Sequence, residues 1–442
     1  MTISNWNSTA SCNPTRVVEP KSVDHLAEIV RNTDIEPSPS PVRAVGSLHS
    51  LNPCFTTTGT LVQMKTDAFR YIREPGNDSV TVGAGVTMFE LKEKLKPLGL
   101  QIAVTPEIGN ATAGSVACCG TKDASLKDGP GQISSTVIGA RIVDASGRNR
   151  PVRPDELHAF RSSYGLFGIV HEVTFETCRL QRVAYASESL GARNLPFSRA
   201  LGDADGFLGF LLPYLGSHGT LVVERRTLSE GAPKDPLDTP NREQRTQIWM
   251  RGGYPFSALP PAFDAGFAAG FPLLPFVSDR VDTMIDFDRQ GSHFFDFAFW
   301  AFPLHTWHEA IPAYVEFCHE FQGRAGFRPA LPTEVYYIKR DNSALLSVSA
   351  QEDVFTLDMV HMLHLKQPLL TQLPLWDQMN DEFNEKIALP FGARPLLNQT
   401  KRLTRDIVER SLRTDWATFA GLRAQADRES RFLSTYFAQL GA

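Results

Sequence analysis

Between Pro41 and Pro53 the chain reads Pro-Val-Arg-Ala-Val-Gly-Ser-Leu-His-Ser-Leu-Asn-Pro, a turn that follows an apolar run. Arg43 puts a fixed positive charge at the mouth of this turn. Gly46 and Ser47 let the backbone pass close to a ligand, where a β-branched side chain would block the approach. Consecutive backbone N–H groups in such a turn make a concave anion site suited to a pyrophosphate. Ala44, Val45, Leu48 and Ser50 complete the turn, and His49 stands where its imidazole could reach the reactive end of the same ligand. A histidine after a turn is commonly just a surface side chain, so the assignment depends on matching parts elsewhere.

Residues 106–136 begin with such a part. Pro-Glu-Ile-Gly-Asn-Ala-Thr-Ala-Gly-Ser-Val-Ala-Cys-Cys-Gly-Thr-Lys-Asp-Ala-Ser is a run of small residues that includes Gly114, Cys118, Gly120 and Thr121. One reading is a flexible loop. The other is a backbone laid flat against a large planar ligand, where bulky side chains would collide.

The elements that must position these parts alternate. Ser22 is an N-cap candidate for a helix over 22–32 with Leu26, Ile29 and Val30 on one face. Val42 to Val45 and Leu61 to Met64 read as strands, and Ser79 to Val86 as a strand ending in Gly83 and Gly85. Leu91, Leu95 and Leu98 give Met88 to Leu98 a helical face. A strand from Val137 to Asp144, a hairpin turn at Asp144 to Gly147 and a last strand from His171 to Glu176 follow. This order predicts an α/β or α+β domain. After Cys178 the chain becomes rich in Phe, Pro and Trp, and Phe294 to Trp300 alternates as a half-buried strand does. Residues 230–243, with three prolines and mixed charge, read as a solvated loop.

With 442 residues and 42 % hydrophobic content the chain fits two domains. Cys12, Cys54, Cys118, Cys119, Cys178 and Cys318 show no CxxC spacing, which argues against a metal site or disulfide framework and for a reducing compartment. His305, His308 and His319 lack the spacing that puts two ligands on one helical face, so they read as surface or packing residues. The polar start carries no secretory signal, and no run reaches the ~20 apolar residues of a membrane helix. A net charge of −5 leaves no basic stripe for nucleic acid. These features point to a cytoplasmic enzyme with a small-molecule substrate.

Arg43 to His49, the Val-Gly-Ala-Gly strand end at 82–85, the small-residue loop at 113–125 and Tyr164 to Val170 together resemble the vanillyl-alcohol oxidase type of FAD-binding fold. Within it, they are most similar to the sugar-lactone and alditol oxidases. Trp416-Ala417-Thr418-Phe419 through Arg423, Asp427 and Arg431-Phe432-Leu433 resembles that family's closing segment. The resemblance implies an α+β fold: a two-subdomain FAD-binding domain of the para-cresol methylhydroxylase type over residues 1–178, an α+β substrate cap over 179–414, and a segment at 415–442 that returns to the FAD domain. It implies that the turn from Arg43 to Ser50 binds the FAD pyrophosphate and that Gly168 and Ile169 line the adenine end. Gly46-Ser47-Leu48-His49-Ser50 reproduces the turn whose histidine is bonded to the flavin 8α-methyl carbon in relatives, so His49 is the candidate for covalent attachment. Cys118 and Cys119 do not match the spacing of a second, thioether attachment.

The resemblance also supplies a substrate side. Thr333-Glu334-Val335-Tyr336-Tyr337 resembles a Glu-x-Arg strand, and residues two apart share a strand face, so Glu334 and Tyr336 would both point at the flavin. Arg394 to Lys401 resembles an Arg-Pro-His-Trp segment followed by a lysine, with Asn398 and Lys401 keeping polar groups in reach. In this scheme Lys401 or Tyr336 stabilises developing charge, and Glu334 orients the substrate or helps take its proton. A plain alternative for Glu334 is an ion pair with Lys339 or Arg340. The chain departs from the pattern at Tyr336 for arginine, Leu396 and Leu397 for histidine and tryptophan, and Lys122 for histidine. Losing these donors points toward a less polar substrate. The implied activity is oxidation of a CH–OH carbon by hydride transfer to FAD, with O₂ as acceptor and peroxide as product. The alternatives are an FAD-dependent tailoring enzyme acting on a larger, less polar substrate, and a ligand-binding protein without catalysis.

Overall fold

The Ser22 hydroxyl accepts a hydrogen bond from the His25 N–H at 3.0 Å and opens the first helix, Val23–Arg31, which buries Leu26, Ala27, Ile29 and Val30. This computed structural model describes residues 1–442 apart from 122, 127–128, 230–259, 274–275, 281–283, 285–293 and 364–371. The expected solvated loop at 230–243 and Lys122 therefore lie outside the described residues. The first helix crosses between strands Arg16–Val18 and Val42–Val45, which flank Thr60–Gln63 in a three-stranded parallel sheet. Parallel pairing requires such a crossover, because a tight turn cannot return the chain in the same direction.

A second sheet is antiparallel. Ile169–Arg179 pairs with Ser79–Gly83, Leu100–Ile102 and Val137–Val143, and the last of these pairs with Asn149–Pro151 across a turn in which Gly147 has φ +75°. The helix Met88–Leu95 starts at a reciprocal cap between Thr87 and Glu90. The small-residue run is not one continuous loop. It contains a six-residue helix, Ala113–Cys118, whose first turn hydrogen-bonds to the preceding sheet through Ala113 N–H to Val86 O (2.7 Å) and Gly114 N–H to Ala84 O (2.9 Å). Small side chains allow that approach: a Cβ on Gly114 would lie 2.9 Å from the Ala84 Cβ.

The remaining sheet has eight strands, in the order Phe276–Asp279, Arg182–Gly191, Thr220–Ser229, Gly206–Leu212, Thr333–Ile338, Val354–Leu363, Phe294–Pro303 and Arg394–Pro395. Strand alternation divides its two faces. Val335, Tyr337, Trp300, Phe302, Phe355 and Leu357 share a core with residues of the helices Trp307–Ala325 and Leu373–Phe383. Tyr336, Ile338, Phe299, Ala301 and Val354 belong to another cluster, shared with Ala124 and Leu396. The chain end packs on the N-terminal part. Arg431 donates to the carbonyls of Ile29 and Val30, and Val42 N–H donates to Arg431 O at 2.8 Å. Trp416, Phe419 and Phe437 share a core with Tyr164, Leu166, Leu345 and Leu397. Among the described residues no helix is long and apolar enough to cross a membrane, and no cluster of His, Cys, Asp and Glu is placed to hold a metal.

Candidate active site

A cavity of about 1050 Å³, counting its open mouth, is lined by residues of both N-terminal sheets and of the segment after Pro395. All eight residues from Arg43 to Ser50 line it, with Gly114, Cys118, Thr121, Gly168, Ile169 and Asn398. Gly120 is the one expected cofactor residue outside the lining. A Cβ there would meet the Leu396 Cδ2 at 2.4 Å, so Gly120 makes room for the leucine rather than for the cavity.

Arg43 is buried, and its guanidinium donates to two carbonyls, Tyr164 O at 2.7 Å and Phe432 O at 3.1 Å. Its Nε has no hydrogen-bond partner among the described residues. Burial lowers its pKa, opposed by the neighbouring thiols of Cys54, Cys119 and Cys118. A buried cation held by neutral carbonyls is the arrangement an anionic ligand would complete. Burial in turn pushes the Cys54 thiol up to about 12, whereas the hydrogen bond from Cys119, then Arg43, lower Cys118.

The turn itself is tightly built. A Cβ on Gly46 would lie 2.1 Å from Thr112 Oγ1, and the Ser47 hydroxyl donates to Asn110 O at 2.6 Å. Leu48 takes φ +57°, a left-handed conformation that side chains rarely adopt, immediately before His49. The His49 ring lies 5.8 Å from that of Trp6, which in turn lies 5.9 Å from Phe294 on the eight-stranded sheet. Gly46→Ala is expected to cost about 1–3 kcal/mol of stability, because Thr112 must move out of the segment that Gly46 abuts. Thermal melting checks this, and an unchanged melting temperature would mean that the contact relaxes without cost.

Asn398 is also buried, and its Oδ1 has no hydrogen-bond partner among the described residues. Its backbone carbonyl accepts from the N–H groups of Leu51 (2.9 Å) and Asn52 (3.2 Å), which fixes it beside the histidine turn.

The four-residue substrate constellation divides. Glu334 and Tyr336 share one strand face, and the Tyr336 hydroxyl lies 3.0 Å from Glu334 Oε2. Asn398 lines the cavity. Lys401 joins neither group. Its ammonium is 2.7 Å from Asp296 Oδ1 and donates to Leu51 O at 3.3 Å, while the other Asp296 oxygen accepts from Trp376 Nε1 at 2.9 Å. Thr400 anchors this turn by bonding to Phe299 O, and Leu396 N–H donates to the Thr400 hydroxyl. The lysine that follows is thereby delivered to Asp296. Glu107 is absent from the sequence reading, yet its Oε2 accepts from the Tyr336 hydroxyl at 2.5 Å. The available signal was that it is the one charged residue in the small-residue run 106–121.

Residues 14–151 match the family described as FAD binding domain. The cholesterol oxidase from B. sterolicum superposes with a TM-score of 0.76 at 14 % identity, covering 99 % of this chain and 96 % of that one. A solvent-stable cholesterol oxidase gives 0.72 at 18 % identity, covering 100 % and 97 %. The chain shares the fold of these cholesterol oxidases, and its match to the FAD binding domain lies in its N-terminal third. Most of the cavity lining falls within residues 14–151, and its features fit the cofactor: the Arg43 Nε and Asn398 Oδ1 have no hydrogen-bond partner among the described residues, and Gly46 and Gly114 let the turn and the short helix close up against Thr112 and Ala84 along the wall.

In sequence the chain is similar to D-arabinono-1,4-lactone oxidase of Candida albicans, 25 % identical over 40 % of this chain and 34 % of the relative. It is also similar to L-gulonolactone oxidase of Scyliorhinus torazame, 25 % identical over 39 % of each chain. L-gulono-1,4-lactone dehydrogenase of Mycobacterium tuberculosis is 29 % identical over 52 % of this chain and 53 % of the relative. The chain thus spans between a third and about half of these curated relatives.

Proposed function

We propose that this protein is an FAD-dependent oxidoreductase that oxidises a CH–OH carbon, with O₂ as the final acceptor. The observation that carries the reading is the buried Arg43, which lines the cavity with the rest of the Arg43 to Ser50 turn and is held by two carbonyls and the Phe437 ring. In this reading residues 1–178 hold FAD, 179–414 cover the substrate side and 415–442 complete the first unit. Arg43 and the N–H groups of the turn bind the diphosphate, Gly168 and Ile169 line the adenine end, and Gly114, Cys118 and Thr121 line the ring. His49 is the candidate for a covalent 8α bond.

FAD supplies the acceptor for the hydride that leaves the substrate carbon. Glu334 accepts the proton of the substrate hydroxyl, Tyr336 and Asn398 orient that hydroxyl, and Lys401 supports the histidine turn through Leu51 O. All six cysteines are free thiols, which fits a cytoplasmic location. The relatives' names point to sugar lactones. A second reading, an enzyme acting on a larger apolar substrate, is favoured by Leu396 and Phe299, which are buried in the same cluster as Tyr336.

Two measurements test the proposal. After acid precipitation, yellow colour is expected to stay with the pellet of the wild type and to wash out of His49→Ala. Colour that leaves the wild-type pellet would exclude covalent attachment. Peroxide release is then measured with L-gulono-1,4-lactone and with cholesterol as probes. Silence on both, with FAD bound, would reject the oxidase reading.

A further inference from the structure

We propose that Glu107 is a positioning residue of the substrate side, holding the Tyr336 phenol so that its proton is kept off Glu334. The inference rests on the reading of Glu334 as proton acceptor. Tyr336 is fully buried, and its hydroxyl touches two carboxylates, Glu107 Oε2 at 2.5 Å and Glu334 Oε2 at 3.0 Å. A phenol has one proton to give. The shorter distance lies in the range of a charge-assisted O–H···O⁻ bond, and the longer one is at the weak end of ordinary hydroxyl bonds. The proton therefore belongs on the Glu107 side.

The position of Glu107 gives this contact a consequence. Ile108, its neighbour, lines the cofactor cavity, so the bond ties the cavity wall to the cap strand across 229 residues of chain. The strand partner is itself fixed, because Tyr336 N–H donates to Thr356 Oγ1 at 2.9 Å. An arginine at 336 would carry five donors, enough for two carboxylates at once. Tyrosine carries one, so a second carboxylate decides which way it points. If Glu107 did not hold the phenol, it would donate to Glu334 and compete with the substrate hydroxyl for the same oxygen.

The test uses the FAD-loaded protein with Glu107→Gln, Glu334→Gln and Tyr336→Phe. Ultraviolet resonance Raman spectra, taken as differences against Tyr336→Phe, read the Tyr336 phenol without any substrate. The signature of a strongly donating phenol is expected in the wild type, unchanged in Glu334→Gln and shifted in Glu107→Gln, where the phenol turns to the more distant Glu334. An unchanged signature in Glu107→Gln, or a shift in Glu334→Gln alone, overturns the proposal. Flavin bleaching is then followed anaerobically with L-gulono-1,4-lactone or cholesterol. Glu107→Gln is expected to slow it roughly tenfold or more with a raised KM. The double variant Glu107→Gln/Tyr336→Phe should be no slower than Tyr336→Phe alone, and additive losses would overturn the positioning role. If neither probe bleaches the wild type, the substrate reading fails, and the Raman comparison still decides the placement of the proton.

Discussion

Arg43→Met is expected to give a folded protein that retains FAD poorly. The guanidinium is buried and donates to two carbonyls, and an incoming diphosphate would add charge-assisted hydrogen bonds to it. Such bonds contribute about 1.5–3 kcal/mol each. At about 1.4 kcal/mol per factor of ten, loss of one such bond lowers FAD affinity roughly 10- to 100-fold. Folding should suffer less. Methionine strands two carbonyl oxygens but also removes a charge whose burial is unfavourable without an anion. The measurement is FAD titration of apoprotein in a His49→Ala background, so that a covalent bond does not mask affinity. The melting-temperature gap between FAD-loaded and FAD-free protein should shrink in parallel, because a ligand stabilises according to its concentration relative to its dissociation constant. Undiminished affinity would remove Arg43 from the cofactor site.

Glu334→Gln and Lys401→Met should fail in different ways. Glutamine keeps the shape of Glu334 and its place beside Tyr336 but cannot take a proton. Flavin bleaching by substrate should therefore slow by roughly 10²–10⁴, the range typical for loss of a well-placed acid–base group. The melting temperature should barely move. Lys401 and Asp296 form a nearly buried ion pair, with side chains 12 % and 4 % exposed. Removing one partner of such a pair leaves an uncompensated buried charge and costs about 3–5 kcal/mol. Lys401→Met should thus melt early, and at temperatures where it stays folded its bleaching rate should be closer to wild type than that of Glu334→Gln. A Lys401→Met protein that melts normally but bleaches slowly would return Lys401 to the reacting centre.

Much of the local structure could be read from short stretches. Ser22 caps the first helix as its hydroxyl and the following apolar spacing predict, and the alternation at Phe294 to Trp300 yields a strand. The turn from Arg43 to Ser50 lies along the cavity in its entirety. Such features depend on neighbours within a few residues, where backbone geometry, capping and side-chain period leave a local trace. The small-residue run was harder. Its lack of bulk signalled a close approach but did not distinguish a flat loop from the short helix that it contains, because both tolerate Gly, Ala and Ser.

The site's polar partnerships were decided by the tertiary structure. Arg43 meets Phe432 across 389 residues, Tyr336 meets Glu107 across 229, and Lys401 is turned to Asp296 by an anchor at Thr400. Parity along the strand at 333–338 put Glu334 and Tyr336 on one face from sequence alone, since alternation is a property of the strand itself. Which carboxylate would reach the phenol, and which way the lysine would point, depend on how the eight-stranded sheet packs against the N-terminal sheets and how it is registered. Those distances are set by hundreds of packing contacts, and no spacing along the chain records them.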